Sequence, residues 1–223
     1  MYYMGIDIGA SSVKVAAVDA GCTVLRVIRR AHKGSPLPCL RAMLAELADG
    51  SADRPLPLSA QACGGVVATG SGADMLRALV PGLRALEEVP ALVKGVRALN
   101  PQAACIIGMG AQSGVFVTGI ADGVAPEFAM NESCAAGTGS FFEDQMQRLG
   151  LPLERYSDLV AGARSVPRLS GRCSVFAKTD IIHRQQEGVP VEDILQGLCH
   201  ATVKAFKATI VRNLPVEKPV ALA

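Results

Sequence analysis

Apolar residues recur at two different periods along this chain, and each change of period marks an element. Residues 2–9 alternate and end at Gly9, and Val13 to Val18 and Thr23 to Ile28 form two further apolar runs. The links between them, Ala10-Ser11-Ser12 and Asp19-Ala20-Gly21, are short and polar or small. Three runs so joined predict an antiparallel meander. Over residues 39–48 the spacing lengthens, and Leu40, Met43, Leu44 and Leu47 fall on one stripe of a helix. Residues 32–38 and 49–57 read as loops. Gly64-Gly65-Val66-Val67-Ala68-Thr69-Gly70-Ser71-Gly72 predicts a buried strand running into a glycine turn, with a helix from Ala73 to Leu79. A further helix spans Pro90 to Leu99, opened by its proline. Asn100-Pro101 ends that pattern.

The second half begins like the first. Ala104 to Met109 predicts a strand, Gly110-Ala111-Gln112-Ser113-Gly114 a turn, and Val115 to Ile120 another strand. Two strand–glycine turn–strand units about a hundred residues apart predict a duplicated α/β fold, with a nucleotide between halves 1–99 and 100–223. Phe142, Met146 and Leu149 mark a helix, and Val175, Phe176, Ile181 and Ile182 another. A long helix is expected near residues 190–213, with Ile194, Leu198, Ala201, Ala205, Ala208 and Ile210 inward. The last residues, 218–223, read as a strand that has just started, so a longer parent chain is expected.

Composition narrows the function classes. A chain of 223 residues, half of them hydrophobic, has enough apolar surface for a sizeable core. A net charge of +2 carries no nucleic-acid footprint. No run of about 18 apolar residues predicts a membrane span, and the first residues do not form a signal peptide. Seven cysteines, an odd count without framework spacing, read as reduced thiols of a cytoplasmic protein.

Two stretches carry candidate chemistry. The first is the turn Asp7-Ile8-Gly9-Ala10-Ser11-Ser12-Val13-Lys14. It is no Walker loop, since neither GxxxxGK[ST] nor a following helix is present. It still offers Gly9 for close approach, backbone N–H groups, the hydroxyls of Ser11 and Ser12, and Lys14. Asp7 can hold a metal ion through water. A plain polar hairpin with Asp7 pairing Lys14 is the competing reading. The second stretch is Cys134-Ala135-Ala136-Gly137-Thr138-Gly139, directly ahead of a predicted helix. Gly171-Arg172-Cys173-Ser174 repeats the arrangement. A cysteine at a helix N-terminus meets free N–H groups and the positive end of the helix dipole, which stabilise a thiolate. Cys22, Cys39, Cys63, Cys105 and Cys199 lack such starts and read as structural, buried thiols.

These residues resemble a known family. Cys134 to Gly139, Cys173-Ser174-Val175-Phe176-Ala177, Met4 to Ser12 and Ala68-Thr69-Gly70-Ser71-Gly72 look like signatures of the ATP-dependent activators of 2-hydroxyacyl-CoA dehydratases and the related benzoyl-CoA reductase ATPase subunits. Those proteins belong to the actin, hexokinase and heat-shock-chaperone ATPase superfamily. The resemblance covers essentially the whole chain. It implies an actin-like (ribonuclease H-like) fold that binds ATP and Mg²⁺, with Asp7 and Gln112 as catalytic residues. Gly9, Ser11, Ser12, Lys14, Gly110, Gly137, Thr138 and Gly139 would bind the nucleotide. It also implies that Cys134 and Cys173 ligate a [4Fe–4S] cluster. Four thiolates suit such a cluster, and a two-fold dimer of chains with two each would supply them. A second module of the same longer chain is the alternative partner.

The function so implied is ATP-driven transfer of a low-potential electron to a dehydratase or reductase component. A sugar or acyl kinase of the same superfamily and a non-hydrolysing structural module are the rivals. The second phosphate motif departs from the family pattern. Gly108 and Ser113 stand where acidic residues are usual, and Gln112 is kept. Loss of a carboxylate there removes a water- or metal-positioning group, so hydrolysis is expected to be slow or absent.

Overall fold

The structure, a computed structural model, describes residues 1–49, 56–59, 61–120, 125–131, 138–169 and 174–223. The chain divides into two compact units, Met1–Ala98 and Leu99–Ala223.

In the first unit β1 (Tyr2–Ile8), β2 (Ser12–Asp19) and β3 (Val24–Ala31) form the expected meander. After α1 (Pro36–Ala48), β4 (Cys63–Thr69) returns to pair parallel with β1. Then follow α2 (Ala73–Leu79), the short β5 (Arg84–Ala85) and α3 (Glu88–Leu99), giving the sheet order β3-β2-β1-β4-β5. Alternation in β1 and β2 puts Tyr2, Met4, Ile6, Ile8, Val13, Val15 and Ala17 on one face. Leu40, Met43 and Leu47 of α1 cover that face. α1 starts at Pro36 rather than near residue 39, because Pro36 is compatible with the first helical turn. β4 was expected to be buried, but only Ala68 is. Its Val67 pairs with Gly5 on the open face of the sheet and is exposed.

The second unit repeats the plan. β6 (Cys105–Met109), β7 (Gly114–Thr118) and β8 (Glu127–Met130) form another meander, and β9 (Val220–Leu222) pairs parallel with β6 as β4 does with β1. Between them lie α4 (Gly139–Arg148), a 3₁₀ turn (Leu153–Arg155), α5 (Tyr156–Ala161), α6 (Ser174–Gln186) and α7 (Val191–Phe206). Phe141 of α4, Ala177 and Ile181 of α6, and Ile194 and Leu198 of α7 share one cluster. The buried stripe of α4 is Phe141, Gln145 and Met146, whereas the sequence pattern put Phe142 and Leu149 on it. At the end of α7 the chain changes pitch. Residues Lys207–Val211 form a π-helical turn, closed by Arg212 N–H on the Lys207 carbonyl at 2.9 Å. The extra residue in that turn rotates the stripe, so Phe206 and Ile210 are buried while Ala208 is exposed. Among the described residues no helix is long and apolar enough to cross a membrane.

Candidate functional site

Each unit presents one tight turn at the tip of its first hairpin. Gly9-Ala10-Ser11-Ser12 joins β1 to β2, and Gly110-Ala111-Gln112-Ser113 joins β6 to β7. The same bond closes both: Gly9 N–H donates to the Ser12 carbonyl at 3.0 Å, and Gly110 N–H to the Ser113 carbonyl at 2.7 Å.

In the first turn the carbonyls are tied back. That of Ile8 accepts from Gly72 N–H at 2.9 Å, and that of Ser11 from His32 N–H at 3.1 Å. The Gly9 carbonyl lies 3.1 Å from His32 Nε2. The N–H groups of Ala10 and Ser11 have no hydrogen-bond partner among the described residues. Carbonyls held away and amides left open make a concavity suited to an anion. Lys14 faces Asp7 across the β1–β2 ladder, with Nζ 2.6 Å from Oδ2 and both side chains partly exposed. Such a half-solvated pair contributes at most about 1 kcal/mol, so its effect is to place two charges rather than to stabilise the fold. Thr69 of β4 pairs with Asp7 on the other side. Its Oγ1 is buried without a hydrogen-bond partner among the described residues. Gly70 follows at φ +86°, and a Cβ there would fall on Asp7 Oδ1 and 2.6 Å from the Ile8 carbonyl oxygen. Only glycine fits at that point.

The second turn follows the same logic with different hands. The Gly110 carbonyl accepts from Gly139 N–H at 2.8 Å and that of Ala111 from Ser140 N–H at 2.8 Å. Asn131 Nδ2 donates to the Gln112 carbonyl at 3.1 Å, and its Oδ1 accepts from Gly114 N–H at 2.6 Å. Ala111 and Gln112 N–H have no partner among the described residues. The start of α4 is therefore docked onto the turn, with Thr138 fully buried beside it. An edge-to-face pair ties α4 to α5, Phe142 to Tyr156 at 5.1 Å. The Tyr156 hydroxyl donates to the Leu195 carbonyl of α7 at 3.1 Å. Burial, helped by the Cys199 thiol, pushes that hydroxyl's pKa above its ordinary range.

Of the sequence candidates, Asp7, Gly9, Ser11, Ser12 and Lys14 thus gather at the first turn, and Gly110, Gln112, Thr138 and Gly139 at the second. Asp7 does pair with Lys14, as the hairpin reading expects, beside a turn whose Ala10 and Ser11 amides are open among the described residues. Gly137, Cys134 and Cys173 lie outside the described residues; α6 begins at Ser174, next after Cys173. Among the described residues no group of three or more His, Cys, Asp or Glu is placed to hold a metal ion. Cys105 is buried, with Sγ accepting from Glu217 N–H at 3.2 Å, whereas Cys22 is exposed in the β2–β3 turn and not the buried thiol expected. Three contributors were not read from sequence as site residues. His32 is a lone loop histidine with no local signal. Thr69 is marked only as part of the Ala68–Gly72 stretch that resembles a family signature, with nothing to single out its hydroxyl. Asn131 stands at the head of the cysteine motif, where its polar side chain next to a glycine-rich run is the available hint.

Residues 4–223 match the BadF/BadG/BcrA/BcrD ATPase family. The chain belongs to that family. Over its whole length it is 27% identical to the activator of lactoyl-CoA dehydratase of Anaerotignum propionicum, covering 82% of that protein. Its structure matches that of the Acidaminococcus fermentans (R)-2-hydroxyglutaryl-CoA dehydratase component A with a TM-score of 0.86 at 21% identity. That match spans all of this chain and 82% of that one. The activator of the 2-hydroxyisocaproyl-CoA dehydratase from Clostridium difficile with bound ADPNP superposes with a TM-score of 0.84 at 23% identity, over all of this chain and 80% of the other. The fold is accordingly the actin-like ATPase fold of these activators, as the sequence resemblance implied.

Proposed function

We propose that this chain is an ATP-dependent activator module of a CoA-ester dehydratase or reductase. The observation that carries the reading is the pair of hairpin turns whose carbonyls are tied back and whose amides stay open. Phosphate oxygens need that polarity, and a family of ATPases supplies the nucleotide. In the first unit Ala10 and Ser11 N–H, the Ser11 and Ser12 hydroxyls and the Lys14 ammonium would receive phosphate oxygens. Asp7 and the unpartnered Thr69 hydroxyl are oxygen donors that fit Mg²⁺ or its water shell, and the ion would neutralise phosphate charge. In the second unit Ala111 and Gln112 N–H would do the binding, with the Gln112 side chain free to orient water. Gly139 serves by holding the turn, since its own N–H is spent on Gly110.

Cys134 and Cys173 would ligate a [4Fe–4S] cluster shared with a second copy or module, which supplies a one-electron carrier of low potential. The partner would be a dehydratase or reductase component, as for the named relatives. Calorimetry with ADPNP and Mg²⁺ tests the nucleotide half of the reading: binding that Lys14→Ala weakens at least about tenfold supports it, and no binding refutes it. Iron and sulfide analysis after anaerobic purification tests the other half. Full iron in either Cys134→Ser or Cys173→Ser would refute the ligand assignment.

A further inference from the structure

The first turn is held by a residue that belongs to neither of its strands. His32 follows β3 directly and reaches the turn twice. Its main-chain N–H donates to the Ser11 carbonyl at 3.1 Å, and its ring Nε2 lies 3.1 Å from the Gly9 carbonyl. The other ring nitrogen settles the tautomer. Gly34 N–H donates to Nδ1 at 3.1 Å, so Nδ1 is the acceptor and the proton sits on Nε2, where it is donated to Gly9. The short loop that presents the ring is braced too, with Ser35 N–H on the His32 carbonyl at 2.8 Å and Lys33 at φ +48°. The ring is half-buried.

We infer that His32 is the positioning residue of the first phosphate turn: its Nε2–H holds the Gly9 carbonyl away and leaves the Ala10 and Ser11 amides open to a nucleotide phosphate. A carbonyl free to swing would place a partial negative charge where the phosphate oxygens arrive. The turn holds only four residues, so one rotated peptide unit moves the Ala10 amide as well as the Gly9 carbonyl. His32 therefore acts through the backbone and need not touch the ligand. The inference rests on the nucleotide reading of the turn given above, and it adds a residue outside both strands to that site.

The test is ADPNP–Mg²⁺ affinity by calorimetry, with melting temperature of the nucleotide-free protein alongside. His32→Phe keeps the ring shape but not the donor, and is expected to weaken binding about tenfold, the worth of one hydrogen bond to an ordered turn. His32→Gln carries an amide N–H at about the place of Nε2, and is expected to restore most of the affinity. His32→Asn reaches only as far as Nδ1 and should behave like the Phe variant. A residue that merely stabilised the fold would lower the melting temperature in all three without this ordering. Wild-type binding together with unchanged affinity in His32→Phe would overturn the inference and leave the nucleotide reading intact. Affinity lost equally in the Gln and Phe variants would also overturn it. No ADPNP binding by the wild-type protein would overturn both.

Discussion

Asn131 grips Gly114 from both sides of the ladder: its Oδ1 accepts from Gly114 N–H at 2.6 Å, and its own N–H donates to the Gly114 carbonyl at 3.1 Å. With Nδ2 on the Gln112 carbonyl, one side chain fixes the C-terminal end of the second turn. Asn131→Leu is expected to strand the Gly114 amide and cost about 1–3 kcal/mol in a denaturant titration, with ADPNP affinity falling as well. Asn131→Asp keeps the acceptor but turns a carboxylate oxygen toward the Gln112 carbonyl, so it should fall between the two. Wild-type stability in the Leu variant would show that the turn holds itself.

Gly70 allows the chain to pass beside Asp7. At φ +86° an alanine is strained, and its Cβ would displace the Asp7 carboxylate. Gly70→Ala should destabilise the first unit by about 1–3 kcal/mol and weaken Mg²⁺-dependent ADPNP binding more than Mg²⁺-free binding. Equal loss in both would mean that Asp7 has no part in holding the metal.

Asp193, at the start of α7 and only 6% exposed, latches the segment after α5. It accepts from Arg164 N–H at 2.6 Å, from Ser165 N–H at 3.1 Å and from the Ser165 hydroxyl at 2.7 Å. The Ser165 hydroxyl first, then the two amides, hold its pKa below the ordinary 3.8. A carboxyl that ionises more readily when folded stabilises the protein above its unfolded pKa and loses that effect as pH falls through the folded value. The melting-temperature gap between wild type and Asp193→Asn should thus be widest above pH 3.8 and close progressively below it. A gap independent of pH across that range would contradict the latch.

Gly108 holds the place in the second hairpin that Asp7 holds in the first. Each stands two residues before the turn's first glycine, and each faces the β-strand partner across the ladder, Val115 for Gly108 and Lys14 for Asp7. Gly108→Asp is expected to raise ATP turnover by about a hundredfold, the lower end for a positioned carboxylate. Phosphate release measured beside the melting temperature separates catalysis from damage to the strand. Unchanged turnover in a stable variant would place residue 108 away from the phosphates.

Period and punctuation along the chain determined the first meander, the helices α1 to α4, α6 and α7, the strand–turn–strand repeat in both halves, and the two glycine turns, whereas β8 and α5 came only with the structure. Those are local matters: strands and helices bury one face, and the spacing of apolar residues records which face. The sequence also marked Asp7 and Lys14, since charge beside a glycine turn is visible without a fold, and the family resemblance added Gln112. Tertiary structure alone decided what holds the turns. His32 lies 23 residues from Gly9 in the chain, and Asn131 lies 17 from Gly114 and 19 from Gln112. No residue spacing encodes a hydrogen bond to a backbone carbonyl, because every residue has one. The phase of the last helix was equally hidden. A π-helical turn adds a residue where packing of Phe206 and Ile210 against Cys105 and Phe116 favours it, and a fixed 3.6-residue period cannot anticipate that.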